Sequence, residues 1–306
     1  MNTSASITQS PSKLTVFLLA IRPRTLPASL SPVVLGTALV PASQFNWAIA
    51  LCALGVALFL QIAVNLANDY FDAKSGIDTT ARLGPIRVTQ SNLAPAQIVA
   101  LGVALFLCLA TLCGLALVIH TGWPLLVVGL VCILATLAYS GGPYPLASHA
   151  LGEITVLIFF GWVAVLGSYY VHTQSLSPQV FWLSNALGLV LAAIMLVNNL
   201  RDIKTDRIAR KYTLAVLLGD SCSRLLYTTL VIAAAFAHIV GFSFAAEDPH
   251  LSEMFLPLLV CLPSGYFCCR DARRLQGREL NRLLGSTALL GLLYAGTTAL
   301  LHLLLR

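Results

Sequence analysis

From Thr25 to Asn68 the chain carries no Asp, Glu, Lys or Arg. A membrane-spanning helix needs about 20 predominantly apolar residues, so this one run has room for two. The same reading gives two helices and a loop in 88–152 and two helices in 154–200. Runs 225–246, 254–269 and 283–305 give one each. The prediction is an all-α membrane protein of nine transmembrane helices, at 20–42, 47–68, 95–119, 123–140, 152–171, 180–199, 225–244, 254–270 and 283–304. Composition agrees. Of 306 residues 58% are hydrophobic and 10% charged, whereas soluble domains carry about 25% charge.

Basic residues orient the chain, because cytoplasmic loops of membrane proteins are enriched in Lys and Arg. With nine spans and a cytoplasmic N-terminus, the inner segments are 1–20, 69–94, 141–151, 200–224 and 270–282. These segments and the adjoining helix ends hold every Lys and Arg of the 18 except Arg306. The outer loops carry Glu247, Asp248 and Glu253 instead. The net charge of +6 is thus a topology signal and no argument for nucleic acid. Residues 1–19 read as a disordered cytosolic tail without a signal-peptide core, and 20–306 as a single transmembrane domain. The expected partner is the lipid bilayer, and the expected location a bacterial inner membrane. Eight cysteines lie mostly inside apolar runs and form no CxxC pair; they read as small buried or lipid-facing side chains. His120, His172, His238 and His302 fall near outer helix ends and read as interface residues.

Two inner loops, 69–94 and 200–224, are long and dense in charge. The first follows Asn68-x-x-x-Asp72, with Asp78 beyond. The second follows Asn198-x-x-x-Asp202-x-x-x-Asp206. A spacing of four stacks side chains on one helix face, so each helix end presents an amide and carboxylates as a column. The helix dipole disfavours aspartate at a C-terminus, and both ends break that rule in the same way. Oxygen-only donors suit Mg²⁺, a hard cation commonly shared with phosphates. The candidate metal ligands are Asn68, Asp72, Asp78, Asn198, Asp202 and Asp206. Asp69 is offset from the column and is set aside as a supporting candidate.

Two carboxylates about 4 Å apart repel by about 4 kcal/mol at an effective dielectric of 20. Asp72, Asp78, Asp202 and Asp206 together match the charge of two Mg²⁺ ions. The same loops supply Lys74, Arg82, Arg87, Arg201, Lys204, Arg207, Arg210 and Lys211. A metal centre ringed by bases suits a polyanion, and a diphosphate is the natural candidate.

These residues resemble the UbiA superfamily of intramembrane aromatic prenyltransferases. The likeness extends to the branch that prenylates 1,4-dihydroxy-2-naphthoate in menaquinone synthesis. It is carried by Arg22-Pro23-x-Thr25-Leu26-Pro27, NLANDYFDAKSGID (65–78), Arg82-x-Gly84-Pro85-x-Arg87 and Gln90-Ser91. It continues through Leu151-Gly152-Glu153, FFGWVAVLGSYY (159–170), NNLRDIKTDR (198–207) and Lys211-x-Thr213-Leu214-Ala215-Val216. Two positions depart from the pattern: Arg210 and Asn92 stand where the family commonly has glycine.

The resemblance implies nine helices around a central cavity, and transfer of a polyprenyl group from polyprenyl diphosphate to dihydroxynaphthoate with release of CO₂ and diphosphate. On that reading Asp72 and Asp202 act through Mg²⁺, while Arg87, Arg201 and Lys211, with Arg82 more weakly, contact the diphosphate. Arg22 binds an anionic group or snorkels to the interface. Tyr139 faces the developing carbocation, orients the acceptor, or anchors the interface. Glu153 lies near the acceptor or merely opens its helix. Other readings stay open: a different acceptor such as 4-hydroxybenzoate, or a membrane transporter with intramembrane acids.

Overall fold

The computed structural model describes residues 11–76, 84, 86–245 and 251–305. Ten helices follow one another: α1 Lys13–Ile21, α2 Leu26–Ala38, α3 Trp47–Ser75, α4 Ala96–Thr121 and α5 Pro124–Ala138. Then come α6 Gly152–Thr173, α7 Pro178–Ile208, α8 Leu214–Phe242, α9 Leu251–Arg274 and α10 Leu280–Leu304. Among the described residues the one β feature is an isolated bridge between His149 and Tyr212.

Seven of these helices are long and apolar enough to cross a membrane. The shorter apolar α5 and the broken pair α1–α2 bring the count to the nine spans predicted. The first span differs from its expected limits of 20–42, and residues 13–19, read from the sequence as part of a disordered tail, belong to helix α1. The chain breaks at Arg22, whose φ of 53° is left-handed, and turns through Pro23–Thr25 before α2 starts. Proline lacks the N–H that a continuing helix needs and is favoured at the first turn of a new one. The break is tied to α3: Asn65 Nδ2 donates to Ile21 O and to Thr25 Oγ1, both at 2.9 Å. The Arg-Pro-x-Thr stretch is therefore a corner between two helices.

Local chemistry sets the other boundaries. Asn46 Oδ1 accepts from Ala48 N at 2.8 Å and caps α3. Ser177 caps α7 just before Pro178. Thr213 Oγ1 accepts from Val216 N and starts α8. Side-chain oxygens at these positions satisfy N–H groups that a helix start leaves without partners. Helices α3 and α7 both run past their expected ends at 68 and 199, so Asp72, Asp202 and Asp206 lie within their final helical turns.

The centre of the molecule is α7, with about two thirds of its apolar window buried. Leu183, Ala186, Leu187 and Leu191 pack with residues of α2, α6, α8 and α10. Close approach depends on small residues, as in membrane helix pairs generally. A Cβ added to Gly188 would fall 2.9 Å from Gly161 Cα. Opposite Gly188, residues Leu157–Leu166 form a π-helical stretch within α6. All eight cysteines are free. The interface reading of the histidines is corrected at two of them. His238 is fully buried, bonded to Tyr294 Oη and to the Met254 carbonyl, both at 3.0 Å. His172 is also buried and reaches the Asn46 carbonyl.

Candidate active site

One cavity of about 1620 Å³ runs between the helices. At the end where the C-terminal turns of α3 and α7 lie, it is lined by Arg22, Asn68, Asp72, Arg87, Tyr139, Asn198, Arg201, Asp202, Asp206 and Lys211. Away from that end the walls are apolar: Leu117 and Val118 of α4, Leu125 of α5, Phe159, Phe160 and Val163 of α6. The Asn-x-x-x-Asp columns of α3 and α7 thus meet at one chamber. Asp78 and Arg82 lie outside the described residues.

On α3, Asn68 Oδ1 accepts from Ser140 Oγ at 2.6 Å. Asp72 forms a buried ion pair with Arg87 at 2.7 Å. Asp69, which the column spacing set aside, explains how Arg87 comes to be there. Its two carboxylate oxygens accept from Val88 N at 2.8 Å and Thr89 N at 2.9 Å. One helical turn therefore uses one carboxylate to hold the loop backbone and the next to meet the arginine that the loop presents.

On α7 the arginine comes from the column itself. Arg201 Nη2 donates to Asn198 Oδ1 at 2.9 Å and to Asp202 Oδ2 at 2.5 Å. Its Nε donates to Asp202 Oδ1 at 2.9 Å, and Nη1 to Asn281 Oδ1 of α10 at 2.8 Å. In this arrangement the guanidinium braces its own helix. Lys211 N donates to Asp206 O at 2.8 Å, and Tyr212 N donates to Ser148 O, which fixes the turn bearing Lys211. Arg210, beside it, has φ 55°, and Asn92 has φ 53°. Both positions where the resemblance leads one to expect glycine are thus left-handed, a conformation in which glycine carries no Cβ penalty.

Tyr139 lines the chamber, and its hydroxyl donates to Met195 Sδ at 3.1 Å. Ser140, the next residue, reaches Asn68. Adjacent residues thus touch both halves of the site. Glu153 is 6% exposed, accepts from Asn199 Nδ2 at 2.9 Å, and is absent from the cavity wall. Its carboxylate lies within electrostatic reach of Tyr139 and Lys211, both of which line the chamber. Sequence reasoning passed over Met195, Ser140 and Asn281. Met195 carried a signal, since it precedes Asn198 by three residues and shares its helix face.

The donor set is suited to a hard divalent cation. Among the described residues no three His, Cys, Asp or Glu side chains are grouped as a protein-only cage. Mg²⁺ is usually held by one or two carboxylates together with substrate phosphates, and such cages are not its habit. Carboxylates and amides on two helices around one chamber match that mode.

Comparison with known proteins agrees with this architecture. A 1,4-dihydroxy-2-naphthoate octaprenyltransferase of Escherichia coli is 37% identical over 238 residues, covering 74% of this chain and 76% of that one. The enzyme of the same name from Mycobacterium tuberculosis is 43% identical over 216 residues, covering 70% and 73%. Among solved structures, a UbiA homologue from Archaeoglobus fulgidus bound to DMAPP and Mg²⁺ superposes with a TM-score of 0.71 at 14% identity, over 95% of this chain and 99% of that one. The family model described as the UbiA prenyltransferase family matches residues 29–290. With its paired columns, its single chamber and these relatives, the chain belongs to the UbiA prenyltransferase family.

Proposed function

We propose that this protein transfers a polyprenyl group from polyprenyl diphosphate to 1,4-dihydroxy-2-naphthoate, forming demethylmenaquinol, the reduced quinone, with release of CO₂ and diphosphate. The observation that carries the reading is the chamber itself, polar and charged at one end and apolar along the rest. A diphosphate and an isoprenoid tail need those two environments side by side. The acceptor follows the names of the relatives, which match across most of the chain.

Asn68, Asp72, Asn198, Asp202 and Asp206, with Asp78 as a further ligand, would hold Mg²⁺, which would supply charge neutralisation and Lewis acidity to the leaving diphosphate. The rest is the work of side chains. Lys211 and Arg87 face the chamber as cations and favour negative charge on the leaving oxygens. Arg201 keeps Asn198 and Asp202 in register with each other. The Tyr139 ring borders the chamber where positive charge develops on the allylic carbon. Apolar walls exclude water from that carbon, so the electron-rich ring of the acceptor takes it. Loss of CO₂ then restores aromaticity. We place the protein in a bacterial inner membrane, with the N-terminus and the motif-bearing helix ends cytoplasmic and 20–306 acting as one catalytic unit.

The test is incubation of membranes containing the protein with Mg²⁺, dihydroxynaphthoate and prenyl diphosphates of several lengths, with product mass as the readout. Decarboxylated prenyl-naphthol products that vanish with EDTA and return with Mg²⁺ are expected. Preference for 4-hydroxybenzoate would overturn the acceptor. Solute transport in liposomes without consumption of prenyl diphosphate would overturn the enzyme reading.

A further inference from the structure

A second groove, of about 330 Å³, lies between α9 and α10, apart from the central chamber. It is lined by Ser264, Phe267, Arg270, Asp271, Arg282, Ser286 and Leu289. The lining forms two helical stripes. On α10, Arg282, Ser286 and Leu289 stand at i, i+4 and i+7. On α9, running the other way, Arg270, Phe267 and Ser264 stand at i, i−3 and i−6. Both spacings keep a single helix face. At about 1.5 Å per residue each stripe descends about 10 Å from the helix end into the membrane. Chemistry changes with depth: guanidinium at the rim, hydroxyl and aromatic below, and Leu289 deepest on α10.

The rim is organised for an anion. The Arg270 guanidinium lies 4.8 Å over the Phe267 ring, and its Nε and Nη2 both donate to Asp271 Oδ1, at 3.1 and 2.8 Å. These contacts hold its plane. Arg282 is exposed and makes no hydrogen bond or ion pair among the described residues. Arg273, Arg274 and Arg278 are exposed on the same hairpin. Basic pockets between membrane helices commonly bind anionic lipid headgroups.

We propose that this groove binds one anionic phospholipid of the adjoining leaflet. Arg270 and Arg282 take the phosphate, Phe267 and Ser286 lie a turn below at the glycerol-ester level, and Leu289, with Ser264 at similar depth on α9, meets the start of an acyl chain. A free phosphate would match the rim alone, whereas the graded stripes match the length of a lipid. The proposal stands independently of prenyl transfer.

The experiment is native mass spectrometry of the full-length protein in detergent, with equimolar phosphatidylglycerol and phosphatidylcholine of matched chains. Wild type is expected to retain phosphatidylglycerol preferentially. Arg270→Gln with Arg282→Gln should lower that preference about 30-fold. Arg273→Gln with Arg274→Gln, off the groove, should keep it. Ser286→Phe, which fills the groove without changing charge, should lose retention as well. The proposal is overturned if wild type shows no preference, or if either groove variant keeps it. Equal loss in the Arg273/Arg274 variant would assign the effect to hairpin charge alone and also overturn it. Displacement of the lipid by millimolar inorganic phosphate would overturn the lipid assignment. Prenyl transfer in detergent, unchanged in all three variants, verifies that each is folded.

Discussion

The α3 and α7 halves of the chamber use the same Asn-x-x-x-Asp column and mount it in opposite ways. On α7 the arginine that meets the aspartate is its neighbour, and α10 holds that arginine through Asn281. On α3 the arginine arrives from a separate segment, stapled to the helix by Asp69 through two backbone amides. One half is braced from within the helix, and the other from a loop. The duplicated spacing sets where carboxylates stand. Which cation neutralises them is a tertiary matter, and the two halves solved it separately.

The largest effect falls where the halves are equivalent. Asp72→Ala and Asp202→Ala should each reduce Mg²⁺-dependent product formation by about 10³-fold or more, with helical content by circular dichroism unchanged. Turnover near wild type in either variant would remove that half from the metal site. The halves should then separate at their arginines. Arg201→Gln, which releases Asn198 and Asp202 together, should lower kcat about 10²-fold. Arg87→Gln should chiefly raise KM for the prenyl diphosphate, by about 10-fold, a loss of about 1.4 kcal/mol.

Asp69 supplies a finer test. If it acts by presenting Arg87, Asp69→Asn should reproduce the KM rise of Arg87→Gln, and the double variant should be no worse than either. Additive losses in that cycle would show that Asp69 acts elsewhere. The smallest effect concerns backbone strain. Arg210→Gly should stabilise the protein by about 1 kcal/mol by relieving a left-handed residue, with activity within about 2-fold. Asn92→Gly should gain less, because asparagine tolerates that conformation. Both are read as shifts in thermal unfolding in detergent. A large activity loss in Arg210→Gly would show that the guanidinium itself serves the α7 half.

These contrasts mark what the sequence could convey. Charge-free runs reported the spans because lipid requires them, and the four-residue spacing reported the columns because helix geometry is local. The departures at Arg210 and Asn92 were visible as missing glycines, and their left-handed φ values give the physical reason. The break at Arg22-Pro23 was present as a proline but was absorbed into a longer span. Three contacts stayed hidden: Ser140 to Asn68, Tyr139 to Met195 and Asn281 to Arg201. Each joins segments distant in the chain, and no period or composition encodes such a meeting. Glu153 was visible as an acid at a helix start, while its partner Asn199, from another helix, was not.

The Tyr139–Ser140 pair has a consequence for how this segment can change over time. Tyr139 and Ser140 form the turn that follows α5, and that turn directs one side chain to Met195 and the other to Asn68. Replacement of either side chain disturbs one contact and spares its neighbour. A single residue inserted between them would rotate one contact out of reach whatever its identity. Chain length at this point is therefore under tighter constraint than composition, and viable variants of the segment should differ in their letters while keeping their number.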